Sequence, residues 1–240
     1  MKGPHAMQET FPKTSRNKVK RLPERGRYDA ATIYPIVDAA MICHVGFAIE
    51  NQPYIIPTLH ARRGDTILLH GAKGSRLLRY IQSGGQVCIT ITLIDGIVLA
   101  RSIFHHSINY RSAVLFGKGM VIEGDEARLQ ALEAFTERLI PGRWRDARAP
   151  SAIELKQTTI VAVPIESASA KLRTGPPGDE PDDLDLPVWA GILPLQQIAG
   201  TPIADSQLKP GIELPDYIRD YDPRGERLET SIAPDVRHEV

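Results

Sequence analysis

The sequence predicts a mainly β fold, an antiparallel barrel with a few inserted helices. Roughly eight apolar runs of strand length recur along the chain at spacings typical of a closed sheet. Asp95-Gly96 lies between two such runs and reads as a tight hairpin turn, which joins antiparallel neighbours. Closing the sheet would also remove the exposed edges that so many strands otherwise present.

The elements follow in order. Residues 1–28 are basic and poor in apolar side chains, with Lys13, Arg16, Lys18, Lys20, Arg21, Arg25 and Arg27. They are expected to form a partly ordered arm over the domain surface. A first helix runs to Ala40, capped by Asp29 or Thr32, with Ile33, Ile36 and Val37 on one face. Pro35 is expected in its first turn, where the missing N–H has no partner to lose. Met41 to Ile49 is a strand, Glu50-Asn51 a turn, and Gln52 to His60 the returning strand. An Arg-Arg-Gly-Asp turn leads to a short strand, Thr66 to Leu69. The segment His70-Gly71-Ala72-Lys73-Gly74 reads as a loop, and Ser75 opens a helix that stops at Gly84-Gly85. Val87 to Leu93 and Ile97 to Phe104 are the strands flanking Asp95-Gly96. A loop at His105 to Asn109 and a strand from Tyr110 to Ile122 complete this part. Asp125 is expected to cap a third helix bearing Leu129, Leu132, Phe135 and Leu139, ended by Pro141-Gly142. Arg143-Trp144-Arg145 is expected in a loop, and Thr159 to Ile165 and Ala168 to Arg173 are the last strands.

The domain body therefore spans 29–173, and the character changes after it. Residues 174–240 hold ten of the nineteen prolines, together with the acidic cluster Asp179, Glu180, Asp182, Asp183 and Asp185, so little regular structure is expected. Val188 to Leu195 is nevertheless too apolar to stay solvated. It is expected to dock on the barrel or on a partner subunit.

Composition narrows the function. A formal net charge of zero gives no global field toward nucleic acid or an anionic membrane. No apolar run is long enough to span a bilayer, and the N-terminus lacks an apolar leader, so a cytoplasmic protein is expected. Cys43 and Cys88 sit in apolar runs and are expected as reduced core thiols, and no metal-binding spacing occurs.

One stretch points to a ligand. Two glycines, Lys73, and a helix start at Ser75-Arg76 read either as backbone N–H groups and cations gathered for a phosphate or as an ordinary strand–loop–helix connection with solvated charges. Arg76 can grip phosphate oxygens in a bidentate manner, or pair with a surface carboxylate instead. The spacing is not that of a Walker loop, because Lys73 precedes the second glycine. No catalytic triad or carboxylate pair is apparent. Arg111 reads either as a ligand contact or as a cation paired across the sheet. Tyr110 and Trp144 suit core or interface positions. If their strand continued through them, His105 and His106 would point to opposite faces. Lys171 and Arg173 share a face and suit an anionic substrate or a partner's acidic tail.

These motifs together resemble the pyridoxamine 5'-phosphate oxidase-like FMN-binding split-barrel family, in its flavin-nucleotide-binding and 5-nitroimidazole resistance branch. The residues that carry the resemblance are Gln52 to Thr58, Leu69-His70-Gly71 with Ser75-Arg76, and Asn109-Tyr110-Arg111-Ser112. Further on they are Pro141-Gly142-Arg143-Trp144, Lys171-Leu172-Arg173 with Gly175-Pro176-Pro177, and Trp189-Ala190-Gly191. They extend over roughly residues 14–215 of this chain.

The resemblance implies a homodimer with FMN in a cleft between subunits. It implies that Ser75 and Arg76, helped by His70 and Lys73, hold the phosphate, and that Ile56, Pro57 and Thr58 meet the ring through backbone groups. Tyr110, Arg111 and Ser112, from the neighbouring subunit, would complete the pocket. His70, His105 and His106 are the candidates for a catalytic role. The implied activity is reduction of a small aromatic or nitro-type acceptor by NAD(P)H. Alternatives within the resemblance are a non-catalytic flavin-binding protein, haem binding or degradation, and a deazaflavin-dependent reductase. The arginine and histidine that grip the vitamin phosphate in true pyridoxamine phosphate oxidases are absent, which argues against that reaction.

Overall fold

The computed structural model describes residues 9–223, and the chain divides into two units, residues 1–196 and 197–240. The first unit holds two antiparallel sheets. The larger is seven-stranded, with path β1-β10-β7-β6-β2-β3 and β11 added on β6; the smaller runs β4-β5-β9-β8. The strands are β1 (Gly26–Arg27), β2 (Ile42–Ile49), β3 (Gln52–Leu59), β4 (Ala61–Arg63), β5 (Thr66–Ala72) and β6 (Gln86–Leu99). They continue with β7 (Ser107–Lys118), β8 (Met120–Val121), β9 (Thr158–Pro164), β10 (Ser167–Arg173) and β11 (Gly191–Pro194). The helices of this unit are α1 (Ala30–Ala39), α2 (Arg76–Gln82), α3 (Asp125–Leu139), α4 (Arg143–Asp146) and α5 (Ala152–Gln157). The fold is the mainly β antiparallel split barrel that the sequence predicts, but the two sheets do not close into one ring.

The sheets pack across a core built by period-two alternation. Val45 of β2, Ile89 and Ile91 of β6 and Leu115 of β7 meet Ile67 and Leu69 of β5 and Val161 and Val163 of β9. Ile33 and Val37 of α1 and Leu77 and Ile81 of α2 join them, all buried. The smaller sheet turns its other face to α3, where Leu68 and Ile160 pack with Ala131 and Phe135 in a second cluster. Gly117 makes the corner between the sheets possible: a Cβ there would lie 2.1 Å from the Pro164 carbonyl oxygen.

Local chemistry explains most boundaries. The Asp29 carboxylate accepts a hydrogen bond from the Thr32 N–H at 2.7 Å and caps α1. Pro35 is the sixth residue of that helix and lies beyond its first turn, so the Ala31 carbonyl loses its helical donor. Burial of Ile33, Ile36 and Val37 outweighs this loss. Glu50 and Asn51 both adopt left-handed backbone (φ 50° and 64°), as a two-residue turn requires. Before α1, Phe11 is buried and the Asn17 amide donates to the Ala168 carbonyl at 2.9 Å. Cys43 is buried and Cys88 half-buried, both as free thiols.

Several expected elements differ. Asp95-Gly96 is not a hairpin turn: β6 runs straight through it as one strand, with a bulge between Ile94 and Gly96. A two-residue hairpin turn needs positive φ, which neither residue adopts. The β6–β7 connection lies instead near Ile103–His105, a short 3₁₀ turn, so His105 is not on a strand. Asp125 is the first residue of α3 rather than its cap, a place taken by Gly124 (φ 82°). The Arg143 segment is the short helix α4. The helix α5 was not anticipated, although Ser151 and Glu154 form a reciprocal capping box.

In the second unit the described residues form one short helix, α6 (Asp216–Arg219). No helix among the described residues is long and apolar enough to cross a membrane.

Candidate functional site

The glycine- and cation-bearing corner lies at the end of β5. His70, Gly71 and Ala72 belong to that strand, paired opposite Ile160, Thr159 and Thr158, so the loop is only Lys73-Gly74. Ser75 caps α2, its hydroxyl accepting from the Leu78 N–H at 3.4 Å, and Arg76 is the first helical residue. No Asp or Glu occurs between Asp65 and Asp95. Lys73, Arg76 and Arg79 also take part in none of the ion pairs among the described residues. Arg76 is exposed and its guanidinium sits over the Tyr54 ring, 4.5 Å from the centroid. Tyr54 stacks on Phe47 at 5.4 Å, and Phe47 meets Tyr80 of α2 at 4.9 Å. An aromatic ladder thus ties the start of α2 to β3. Lys73 lines a separate cleft of about 300 Å³ with Gln82, Glu123, Arg128, Lys156 and Thr158.

β3 is an edge strand of the large sheet, so one row of its backbone groups is left unused by the ladder. Ile56 and Thr58 stand opposite Val45 and Cys43 and face inward, while Pro57 faces outward. From Tyr54 to Thr58 the strand advances about 13 Å at ~3.3 Å per residue. One end therefore offers cations and the other backbone polar groups.

Tyr110, Arg111 and Ser112 lie on β7, three strand spacings from β3, or about 14 Å at ~4.8 Å each. A single chain does not bring the two groups together. Arg111 is paired across the sheet: its Nε and Nη2 donate to the Asp95 carboxylate at 2.7 to 3.2 Å. Ser112 donates its hydroxyl proton to the Lys171 carbonyl at 3.2 Å, and Tyr110 is half-buried opposite Arg173.

The histidines separate. His70 does not point toward Arg76. It lies on the other face of β5, its ring edge-on to Phe135 at 4.4 Å, at the floor of a cleft of about 390 Å³ with Leu132, Arg148 and Glu154. Its Nδ1 is buried without a hydrogen-bond partner, and burial lowers its pKa below the ordinary imidazole value. His105 sits near Glu180, 3.6 Å away, and the Nδ1 of His106 lies 3.0 Å from the Ser102 carbonyl. Neither reaches the α2 corner by any contact among the described residues. No cluster of His, Cys, Asp or Glu suited to a metal ion occurs among the described residues.

Sequence reasoning missed three groups. Asp95 was read as a turn residue, yet it is the one acid between Asp65 and Glu123, a signal that it answers a cation nearby. Tyr54, the platform for Arg76, was read only as part of a motif. His60 carries no sequence signal of its own, yet it is buried, with its Nε2 2.9 Å from the Val37 carbonyl.

Two facing antiparallel sheets with an exposed cationic corner beside an edge strand define a split-barrel protein. The family model for pyridoxamine 5'-phosphate oxidase matches residues 29–172, and the chain belongs to that family. Among solved structures, the flavocytochrome Anf3 from Azotobacter vinelandii is 34% identical over 87% of this chain and 97% of that one, with a TM-score of 0.81. The FAD and heme binding protein from Mycobacterium smegmatis is 34% identical over 81% of this chain and 96% of that one, with a TM-score of 0.77. A candidate 5-nitroimidazole antibiotic resistance protein from Bacteroides thetaiotaomicron is 26% identical over 60% of this chain and 83% of that one (TM-score 0.51). No curated protein sequence matched.

Proposed function

We propose that this chain is a flavin-dependent oxidoreductase that holds FMN and passes electrons from NAD(P)H to a small aromatic or nitro-type acceptor. The observation that carries this reading is the Ser75-Arg76 start of α2, where Arg76 is exposed, takes part in none of the ion pairs among the described residues, and sits over Tyr54 of the edge strand β3. A flavin mononucleotide needs a cationic anchor for its phosphate and main-chain partners for its ring, and the start of α2 and the open edge of β3 are suited to those two needs. Bound flavin would supply the electron chemistry.

In this reading Ser75 and Arg76 hold the phosphate and orient it through the rigid start of α2. Lys73 adds long-range attraction from the neighbouring cleft. Among Ile56, Pro57 and Thr58 the main-chain groups alternate between the β2 ladder and the open edge, so only those on the open side contribute, and Pro57 can offer only its carbonyl. The separation of β3 from β7 favours a homodimer, in which Tyr110, Arg111 and Ser112 of one copy face β3 of the other. The flavin named for the Mycobacterium smegmatis relative is FAD, so the nucleotide released on denaturation is the direct test. Purified protein should release FMN, and NADPH should bleach the flavin bands anaerobically. Release of FAD alone would replace FMN in this account, and bands untouched by NADH or NADPH would leave a flavin-storage protein.

A second reading is that haem is bound as well. The two relatives at 34% identity are named for a flavocytochrome and for FAD and heme binding. His70 favours it: burial lowers the imidazole's pKa, its Nδ1 has no hydrogen-bond partner, and the ring borders an open cleft. An intense single haem band would accompany the flavin bands, and His70→Ala should abolish it.

A further inference from the structure

The β-bulge in β6 ties the proline-rich extension to Arg111. Ile94 pairs with Tyr110 and Gly96 with Asn109, which leaves Asp95 outside the β6–β7 ladder. Its backbone carbonyl is not orphaned, because the Leu195 N–H just after β11 donates to it at 3.1 Å. Its carboxylate takes the Nε and Nη2 donors of Arg111 side-on, with both side chains half-buried. β11 reaches this point through antiparallel pairing from Gly191 opposite Leu99 to Pro194 opposite Gly96. The two strands approach closely there: a Cβ on Gly96 would lie 3.0 Å from the Leu193 carbonyl oxygen and 3.1 Å from Ile192 Cγ2. One residue, Asp95, is therefore held by β11 through its backbone and holds Arg111 through its side chain.

We infer that Asp95 is a positioning residue for Arg111, and that β11 of the C-terminal extension is the clasp that fixes Asp95. The inference rests on the reading of Arg111 as a flavin contact. Three features support it together. The bulge gives Asp95 its reach, the side-on fork fixes the guanidinium plane, and the Leu195 hydrogen bond fixes the bulge. A fork of this kind orients a guanidinium as well as neutralising it, so Asp95 has two possible effects of opposite sign on an anionic ligand. As a mere negative charge it would weaken FMN binding, and its removal would tighten it. As an orienting group it strengthens binding, and its removal loosens it.

The test is FMN titration of the full-length apo-protein at low and high salt. Asp95→Asn and Asp95→Ala should raise the FMN Kd by about 5- to 20-fold, the scale of a partly lost charge-assisted contact. Part of the loss should return in Asp95→Glu, and the loss should persist at high salt, where charge effects fade. Asp95→Ala/Arg111→Ala should bind no worse than Arg111→Ala, since the two act as one unit. Gly96→Val, which pushes β11 away, should reproduce the Asp95 phenotype. Tighter binding by Asp95→Asn, or additive losses in the double variant, would overturn the positioning role. Normal binding by Gly96→Val would overturn the clasp. An Arg111→Ala variant that binds FMN normally would instead end the reading of Arg111 as a flavin contact. Asp95→Asn preserves side-chain shape and serves if the alanine variant fails to fold.

Discussion

Replacing Arg76 by alanine removes the one guanidinium seated at the start of α2, while Ser75 keeps its cap and Leu77, Leu78 and Ile81 keep their burial. If Arg76 makes charge-assisted hydrogen bonds to a phosphate, about 1.5–3 kcal/mol is lost. At about 1.4 kcal/mol per tenfold, the FMN Kd should rise roughly 10- to 150-fold. The stability cost is far smaller, about 0.5–1 kcal/mol for the exposed contact with the Tyr54 ring. Arg76→Lys keeps the charge and loses the planar fork, so it should fall between wild type and alanine. Flavin fluorescence quenching gives the Kd, and circular dichroism with urea unfolding checks the fold. An alanine variant that is folded and binds FMN within about twofold of wild type would remove Arg76 from the phosphate site and with it the main support for the reading.

Two further predictions concern the scaffold. Gly117→Ala forces a methyl group to within 2.1 Å of the Pro164 oxygen and 3.0 Å of Val163 Cγ1, and the backbone of β9 cannot yield as a flexible side chain would. A loss of about 1–3 kcal/mol is expected, seen as a lower urea midpoint at unchanged slope, and an unshifted midpoint would contradict the described corner. His60 gives a pH dependence. Its burial is the largest cause of a pKa below 6.5; Arg138 pushes in the same direction, while Asp38 and the Val37 carbonyl oppose. The unfolded chain therefore binds the proton more readily, so the stabilisation is present above about pH 6.5 and is lost as pH falls below it. The slope contributed by this one group is at most about 1.4 kcal/mol per pH unit. Unfolding midpoints from pH 8 to pH 5 in wild type and His60→Gln should diverge on the acid side, and parallel curves would contradict the assignment.

Much of this architecture was legible in the sequence because local signals and tertiary packing agree there. Asp29 caps α1, Glu50-Asn51 turns β2 into β3, and the alternation of Ile67, Leu68 and Leu69 divides two cores. The errors arise where tertiary contacts override a local signal. Asp95-Gly96 carries a strong turn signature, but pairing of Gly96 with both Asn109 and Pro194 holds it extended. His70 reads as loop because glycines follow it, yet pairing with Ile160 keeps it in β5 and turns it to Phe135. The Ser151–Glu154 box is a local signal that announces α5. Of the candidate site, the Arg76 corner was visible as charge and glycine spacing. The Arg111–Asp95 pairing was not, because it depends on a bulge that no local pattern announces.

The most direct measurement is the visible absorbance and size of the purified protein after saturation with FMN and removal of free flavin. This account expects a two-band flavin spectrum from a particle of two chains. A colourless protein, or a single chain that carries flavin without pairing, would contradict it.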